Sequence, residues 1–198
     1  MPLSMIRPTA SEYMTLDQYI ALEQRTGIKH EYHDGMVRAM AGASEAHSTL
    51  GENFYYHSRS YFTEHKVPCR ALGSERKLFL PKKNRYVYPD MMIVCGPIER
   101  AETVKGAILN PTVIVEVLSE GTATYDRHEK FGFYRQIPTL REYLLVSQDK
   151  MYVEIYYQHP NGMWQFLYCR EPNDTLQLNG VDLAIKMQDL YFGVEIED

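Results

Sequence analysis

The chain has 198 residues, 44% hydrophobic and 24% charged, a length and balance that fit one ordinary domain and exclude two domains with full cores of their own. Its 21 Lys and Arg against 26 Asp and Glu leave a formal net charge of -5, which excludes a polycation that binds nucleic acid by bulk charge. No apolar run of about 18 residues is present, so no membrane span is expected, and Met1 to Ala10 lacks the apolar core of a signal peptide.

The expected domain runs over 14–192, with an extension at 1–13 and an acidic tail at 193–198. Leu16, Tyr19 and Ile20 recur at helical spacing in 14–25, Thr15 can cap that helix, and Gly27 ends it. Asp34-Gly35 between His30–His33 and Met36–Met40 predicts a hairpin. Ser44 reads as the cap of a helix over 45–65. Strands are expected at Arg76–Leu80 and Tyr86–Cys95, joined by a Pro-Lys-Lys-Asn turn. The most β-prone run is 112–118, and a helix over about 122–136 follows it and ends before Pro138. Strands at Glu142–Ser147, Met151–Tyr157, Met163–Cys169 and 181–185, then a short helix at 187–191, complete the chain. The pattern is α/β (α+β): one mixed sheet flanked by helices. Cys69, Cys95 and Cys169 are an odd number without CxxC spacing, so no disulfide framework or zinc site is expected, and the cytoplasm is the default compartment.

Charge is unevenly spread. Residues 59–85 hold eight basic residues and two acidic ones, while 171–198 hold one basic and seven acidic. The basic run is either a solvated surface or an edge that faces phosphate.

Two carboxylates stand out. Glu116 interrupts Thr112-Val-Ile-Val-Glu-Val-Leu118, a strand apolar on both faces. A carboxylate there is costly unless it is paired, protonated or on a metal. It is therefore a buried ion pair, a strand-end residue at a wet rim, or a functional acid. Asp90 follows Pro89, which cannot donate to a sheet ladder and so predicts a bend or edge. A Pro-Asp on one strand, a Glu inside the next and then a helix suit a Mg²⁺ or Mn²⁺ ion, which takes few carboxylates and keeps waters.

The order of these segments resembles the PD-(D/E)XK nuclease superfamily and, more narrowly, the Uma-type family of restriction endonucleases. The resemblance rests on Glu31-Tyr-His-Asp34-Gly35, Gly42-Ala-Ser44 with His47, Tyr88-Pro-Asp90 and Val115-Glu116-Val-Leu-Ser119. Thr122, Asp126-Arg127, Lys130 and Tyr134 continue it, then Glu142-Tyr-Leu-Leu-Val146. It spans about residues 14–192. It implies a restriction-endonuclease-like core and a metal-dependent phosphodiesterase site. Asp90, Glu116 and the carbonyl of Val117 would hold Mg²⁺ or Mn²⁺. A plain D/E-x-K motif would put the lysine at 118, where this chain has Leu118, so Lys130 is the candidate for a migrated lysine.

Each further candidate has an ordinary reading beside the functional one. Asp126 and Lys130 at i,i+4 also describe a surface ion pair. Glu31 either faces water or completes the acidic site. His47 is a structural first-turn residue or a site residue. The leading expectation is a DNA endonuclease acting as a homodimer, since two-fold pairs dominate oligomers and duplex cleavage takes two sites. The alternative is an inactive module on the same fold, serving nucleic-acid binding or protein assembly. The tyrosines at 152, 156, 157 and 168 would then make a dimer face.

Overall fold

The site is carried by a six-stranded mixed sheet in the order β10-β9-β8-β7-β6-β3. The computed structural model describes residues 13–40, 42–119 and 121–196. All but the last residue of the expected 1–13 extension, and the final two of the acidic tail, lie outside them. β7 (Val113–Leu118) and β8 (Glu142–Ser147) form the one parallel pair in that sheet, and every residue of both strands is buried. Near-continuous burial is what branched aliphatics on both faces of a central strand produce. β6 (Met91–Cys95) and β3 (Cys69–Gly73) extend the sheet on one side; β9 (Val153–Gln158) and β10 (Trp164–Cys169) extend it on the other.

The expected mixed sheet flanked by helices is present, and the N-terminal hairpin and the C-terminal antiparallel strands belong to two smaller sheets beside it. β1 (His30–His33), β2 (Met36–Ala39), β4 (Leu78–Leu80) and β5 (Arg85–Val87) form a separate antiparallel sheet in the order β2-β1-β5-β4. β11 (Thr175–Leu178) and β12 (Leu183–Lys186) form a two-stranded ribbon. The cause of the split is local. The expected strand Tyr86–Cys95 is broken around Pro89, which has no N–H for either ladder. The chain leaves the four-stranded sheet at Val87 and enters the six-stranded one at Met91. At the hairpin, Asp34 and Gly35 both take positive φ, 49° and 102°, as the Asp-Gly pair predicts.

Helices cover both faces. α1 (Leu16–Thr26) is capped by Thr15 and Gln18 in a reciprocal box. α2 (Glu45–Glu64) packs Leu50, Phe54 and Phe62 on Met91, Ile93, Val113 and Val115. The opposite face buries Met92, Val94, Ile114 and Leu118 against Tyr134, Ile137 and Leu140. The expected 122–136 helix is α3 (Ala123–Tyr125), a π-helical turn (Asp126–Lys130) and α4 (Phe131–Tyr134) in direct succession. α5 (Met187–Leu190) is the short last helix. The cysteine expectation is corrected as well. Cys69 and Cys95 lie directly opposite on β3 and β6 and form a disulfide, while Cys169 is free and buried.

Glu142 ties the ribbon to the main sheet. Its buried carboxylate accepts the N–H groups of Asn179 (2.8 Å) and Gly180 (3.1 Å). A Cβ at Gly180 would lie 2.9 Å from Cβ of Arg141, so only glycine allows this approach. Burial pushes the Glu142 pKa up from 4.5 to about 7, against the opposing pull of the two N–H groups. The folded protein thus holds this proton more tightly than the unfolded chain, and that stabilisation is complete below pH 4.5 and lost as pH rises through about 7. We expect the Tm of the wild type, measured relative to Glu142→Gln, to fall across this interval and level off above it. Thermal unfolding at several pH values checks this; a pH-independent difference would contradict it.

Candidate active site

The bend at Pro89 places Asp90 just before β6. Met91 pairs with Val115 across the antiparallel β6–β7 ladder, so one step further Asp90 faces Glu116. Residues opposite one another across such a ladder share a face. The two carboxylates that are 26 positions apart in the chain therefore meet at one rim. Asp90 is fixed from two sides. Its Oδ2 accepts the backbone N–H of Val117 at 2.7 Å, and its Oδ1 accepts from Nε2 of His47 at 2.9 Å. A carboxylate oxygen can only accept here, so Nε2 of His47 carries the proton. Ser44 caps α2 by accepting the N–H of His47 at 3.1 Å, which sets the turn that aims the imidazole.

Glu116 is 3% exposed. Its Oε1 accepts from the hydroxyl of Tyr134 at 2.8 Å and lies 3.1 Å from Nζ of Lys130. The same Nζ is 2.9 Å from Oδ1 of Asp126, which is 2% exposed. The i,i+4 pair of Asp126 and Lys130 is thus a buried clamp, not a surface pair. Burial pushes the Glu116 pKa up to about 8; Lys130 opposes the rise, and Asp90 and Asp126 add to it. For Lys130 burial acts downward, but Glu116, Asp126 and Glu31 outweigh it and hold the amine above its ordinary value. Lys130 is therefore an ammonium ion. Tyr143 supports the clamp from below: its hydroxyl donates to the Asp126 carbonyl at 3.1 Å, and its ring meets Tyr134 edge to face at 5.3 Å. A π turn widens the helix at this point, a distortion common at functional sites.

Glu31 lies near this group but is held by its own partners. Its Oε2 accepts from Nε2 of His33 at 2.9 Å, and Nδ1 of His33 lies 3.0 Å from Nη1 of Arg85. Arginine only donates, so Nδ1 accepts and Nε2 carries the proton given to Glu31. Burial alone would raise the Glu31 pKa, but His33 and the charges of Lys130 and Arg38 hold it below the usual value. Arg85 lies over the Phe133 ring at 3.8 Å and reaches the Tyr125 hydroxyl at 3.5 Å. Asp90, Glu116, Lys130 and His47 are thus joined through direct contacts and through the Val117 N–H. Glu31 adds its charge from the side. The sequence left Tyr134 open between a solvated face and a site-facing edge, and Asp126 between a surface ion pair and a residue that orients Lys130 or reaches a second metal. The 126, 130, 134 spacing was the available signal for both.

His47, Asp90, Glu116, Asp126 and Lys130 line a cleft of about 1070 Å³ between the start of α2, β3 and the rim of β6 and β7, and Glu31 and Tyr134 stand outside its lining. The basic run of 59–85 does not form a single wall of it. Lys77 pairs with Glu23 in the interior, Arg85 is engaged as above, and Lys82 and Lys83 are outside the lining. From that run only Arg76 borders the cleft.

The donor set suits a hard cation. Two carboxylates share a rim, and burial first, then the neighbouring Asp90 and Asp126, holds the Glu116 carboxyl above its usual range although an ammonium sits against it. Among the described residues no group of three or more His, Cys, Asp or Glu side chains is placed to hold a metal ion. Asp90 and Glu116 alone are the kind of donors that Mg²⁺ or Mn²⁺ takes together with waters.

The fold and this rim define a restriction-endonuclease-like nuclease fold. The crystal structure of "a putative nuclease belonging to DUF820" from Anabaena variabilis superposes with a TM-score of 0.71, covering 90% of this chain and 97% of that one at 18% identity. The chain belongs to the Uma2 family, described as "Putative restriction endonuclease", whose profile matches residues 16–188. Two Synechocystis proteins are similar over most of their lengths. The uncharacterized protein slr1290 is 32% identical over 90% of this chain and 91% of its own. The uncharacterized protein sll1609 is 31% identical over 81% and 89%. Among the described residues no helix is long and apolar enough to cross a membrane.

Removing the shared ammonium leaves two buried carboxylates without their cation. Lys130→Met should therefore lower the unfolding free energy in metal-free buffer by about 3–5 kcal/mol. Urea denaturation measures this. A loss of under about 1 kcal/mol would mean the clamp is solvated and weak.

Proposed function

We propose that the protein is a Mg²⁺- or Mn²⁺-dependent DNA endonuclease that hydrolyses phosphodiester bonds at Asp90, Glu116 and Lys130. The observation that carries this reading is the 3.1 Å approach of Lys130 to Glu116. It supplies, from the following helix, the lysine that position 118 lacks.

In this reading Asp90, Glu116 and the Val117 carbonyl hold the ion. An extended residue directs its N–H and C=O toward the same neighbour, and the Val117 N–H already points at Asp90. A divalent ion at that rim supplies Lewis acidity and offsets charge on phosphoryl oxygens. The remaining work falls to the chain. Lys130, kept protonated by its two carboxylates, is not a proton acceptor. It donates to the attacking water and places positive charge where the transition state gathers negative charge. His47 holds one oxygen of Asp90 and so fixes the rotamer of that carboxylate. Tyr134 does the same for Glu116. Glu31 adds a further negative charge near Lys130 that helps to keep it an ammonium.

The test is cleavage of DNA by the purified protein in Mg²⁺ or Mn²⁺. We expect cleavage that a chelator abolishes and that Asp90→Ala or Glu116→Ala each lowers by about 10²-fold or more. Cleavage that persists in both variants would overturn the site assignment. Absence of any cleavage by the wild type would favour the non-catalytic module.

A further inference from the structure

The cleft continues beyond the carboxylates. Tyr55, Ala71 and Leu72 border both the main cleft and a second hollow of about 390 Å³ that follows α2 and the outer strand β3. Arg59 and Arg70 border this second hollow, and no carboxylate does. Both arginines are exposed, and among the described residues neither forms an ion pair. Arg59 donates to the Tyr55 hydroxyl at 2.9 Å. Of the basic residues that border the main cleft, Lys29 is paired with Glu75 and Lys130 with Glu116 and Asp126, while Arg76 forms no ion pair among the described residues.

The main cleft is electrostatically wrong for a polyanion without help. Its lining holds three cations (Lys29, Arg76 and Lys130) against five carboxylates (Glu52, Glu75, Asp90, Glu116 and Asp126). A phosphate chain needs attraction outside this stretch, and the adjoining hollow offers it. From Asn53 to Thr63, α2 has no acidic residue and carries Tyr55, Tyr56, His57 and Arg59. Tyr56 is 65% exposed. Tyr55 borders both hollows beside Arg59, whereas Tyr56 and His57 border neither; a cationic groove with an aromatic side chain in it is what binding a single strand calls for.

We propose that the hollow is a distal phosphate subsite, in which Arg59 and Arg70 bind the backbone of a single-stranded nucleic acid whose reacting phosphate lies at Asp90 and Glu116. The position of that reacting phosphate rests on the nuclease reading; the binding site itself does not. A single strand is assigned because Glu116 and Lys130 are largely buried where they line the cleft. A flexible strand can thread down to them, whereas a duplex is a stiff rod with its phosphates on the outside.

Fluorescence anisotropy with a labelled single-stranded oligonucleotide, in chelator and over a range of salt, tests this on the full chain. Arg59→Ala/Arg70→Ala should weaken binding about tenfold at low salt and flatten the salt dependence by about 1.4 in log–log slope, the loss of two phosphate contacts on a single strand. Lys82→Ala/Lys83→Ala removes the same charge outside both hollows and should leave the affinity unchanged. Equal affinity and slope for the arginine variant and the wild type would overturn the subsite. Equal losses in both double variants would also overturn it, since bulk charge alone would then explain binding. Wild-type affinity for a duplex of the same sequence equal to that for the single strand would overturn the strand assignment. Failure of the wild type to cleave in Mg²⁺ or Mn²⁺ would count against the nuclease reading alone, because the binding arm needs no catalysis.

Discussion

Everything at this site depends on one buried ammonium. Glu116 and Asp126 are almost wholly removed from water, and Lys130 is the cation that both of them contact. Two charges of one sign cannot share a dry site without a counterion. The lysine meets that need while the chain is alone, and it leaves the pair short of one positive charge. A divalent cation at that rim, as we propose, would offset the remaining negative charge. The same constraint gives Lys130 its chemical character, because an amine between two carboxylates keeps its proton.

The backbone device that makes this possible is the break at Pro89. By refusing a hydrogen bond to either ladder, it lets the chain pass from the four-stranded to the six-stranded sheet. Asp90 falls at the crossing, opposite Glu116 and within reach of His47 and the Val117 N–H. The second sheet then closes the side of the site, since its β1 carries Glu31 and its β5 carries Arg85. Two layers that look separate in topology thus contribute to one cluster of charge.

Much of this was legible in the residues. Glu116 announced itself as a carboxylate inside Val113-Ile-Val-Glu-Val-Leu118, and the proline before Asp90 signalled a bend. The strand β3 was not legible. Cys69-Arg-Ala-Leu-Gly73 has no apolar alternation and ends in glycine, so nothing local marks it as a strand. With β3 unseen, the Cys69–Cys95 pairing was unseen too, because their contact exists only through the β3–β6 register. The basic run was legible only in part, for a related reason. Sequence order showed its charge but not that Lys77 turns inward to Glu23 while Arg59 and Arg70 stay free along α2 and β3. Asp126 stayed undecided because an i,i+4 acid–lysine pair looks like any solvated helix face until the helix is packed.

The most direct test of the account is anomalous scattering from a crystal of the protein grown with Mn²⁺. The account predicts a manganese peak at the rim between the carboxylates of Asp90 and Glu116, with the Lys130 ammonium still against Glu116. A crystal that shows no peak there at millimolar Mn²⁺, or a peak held by other residues, would contradict it.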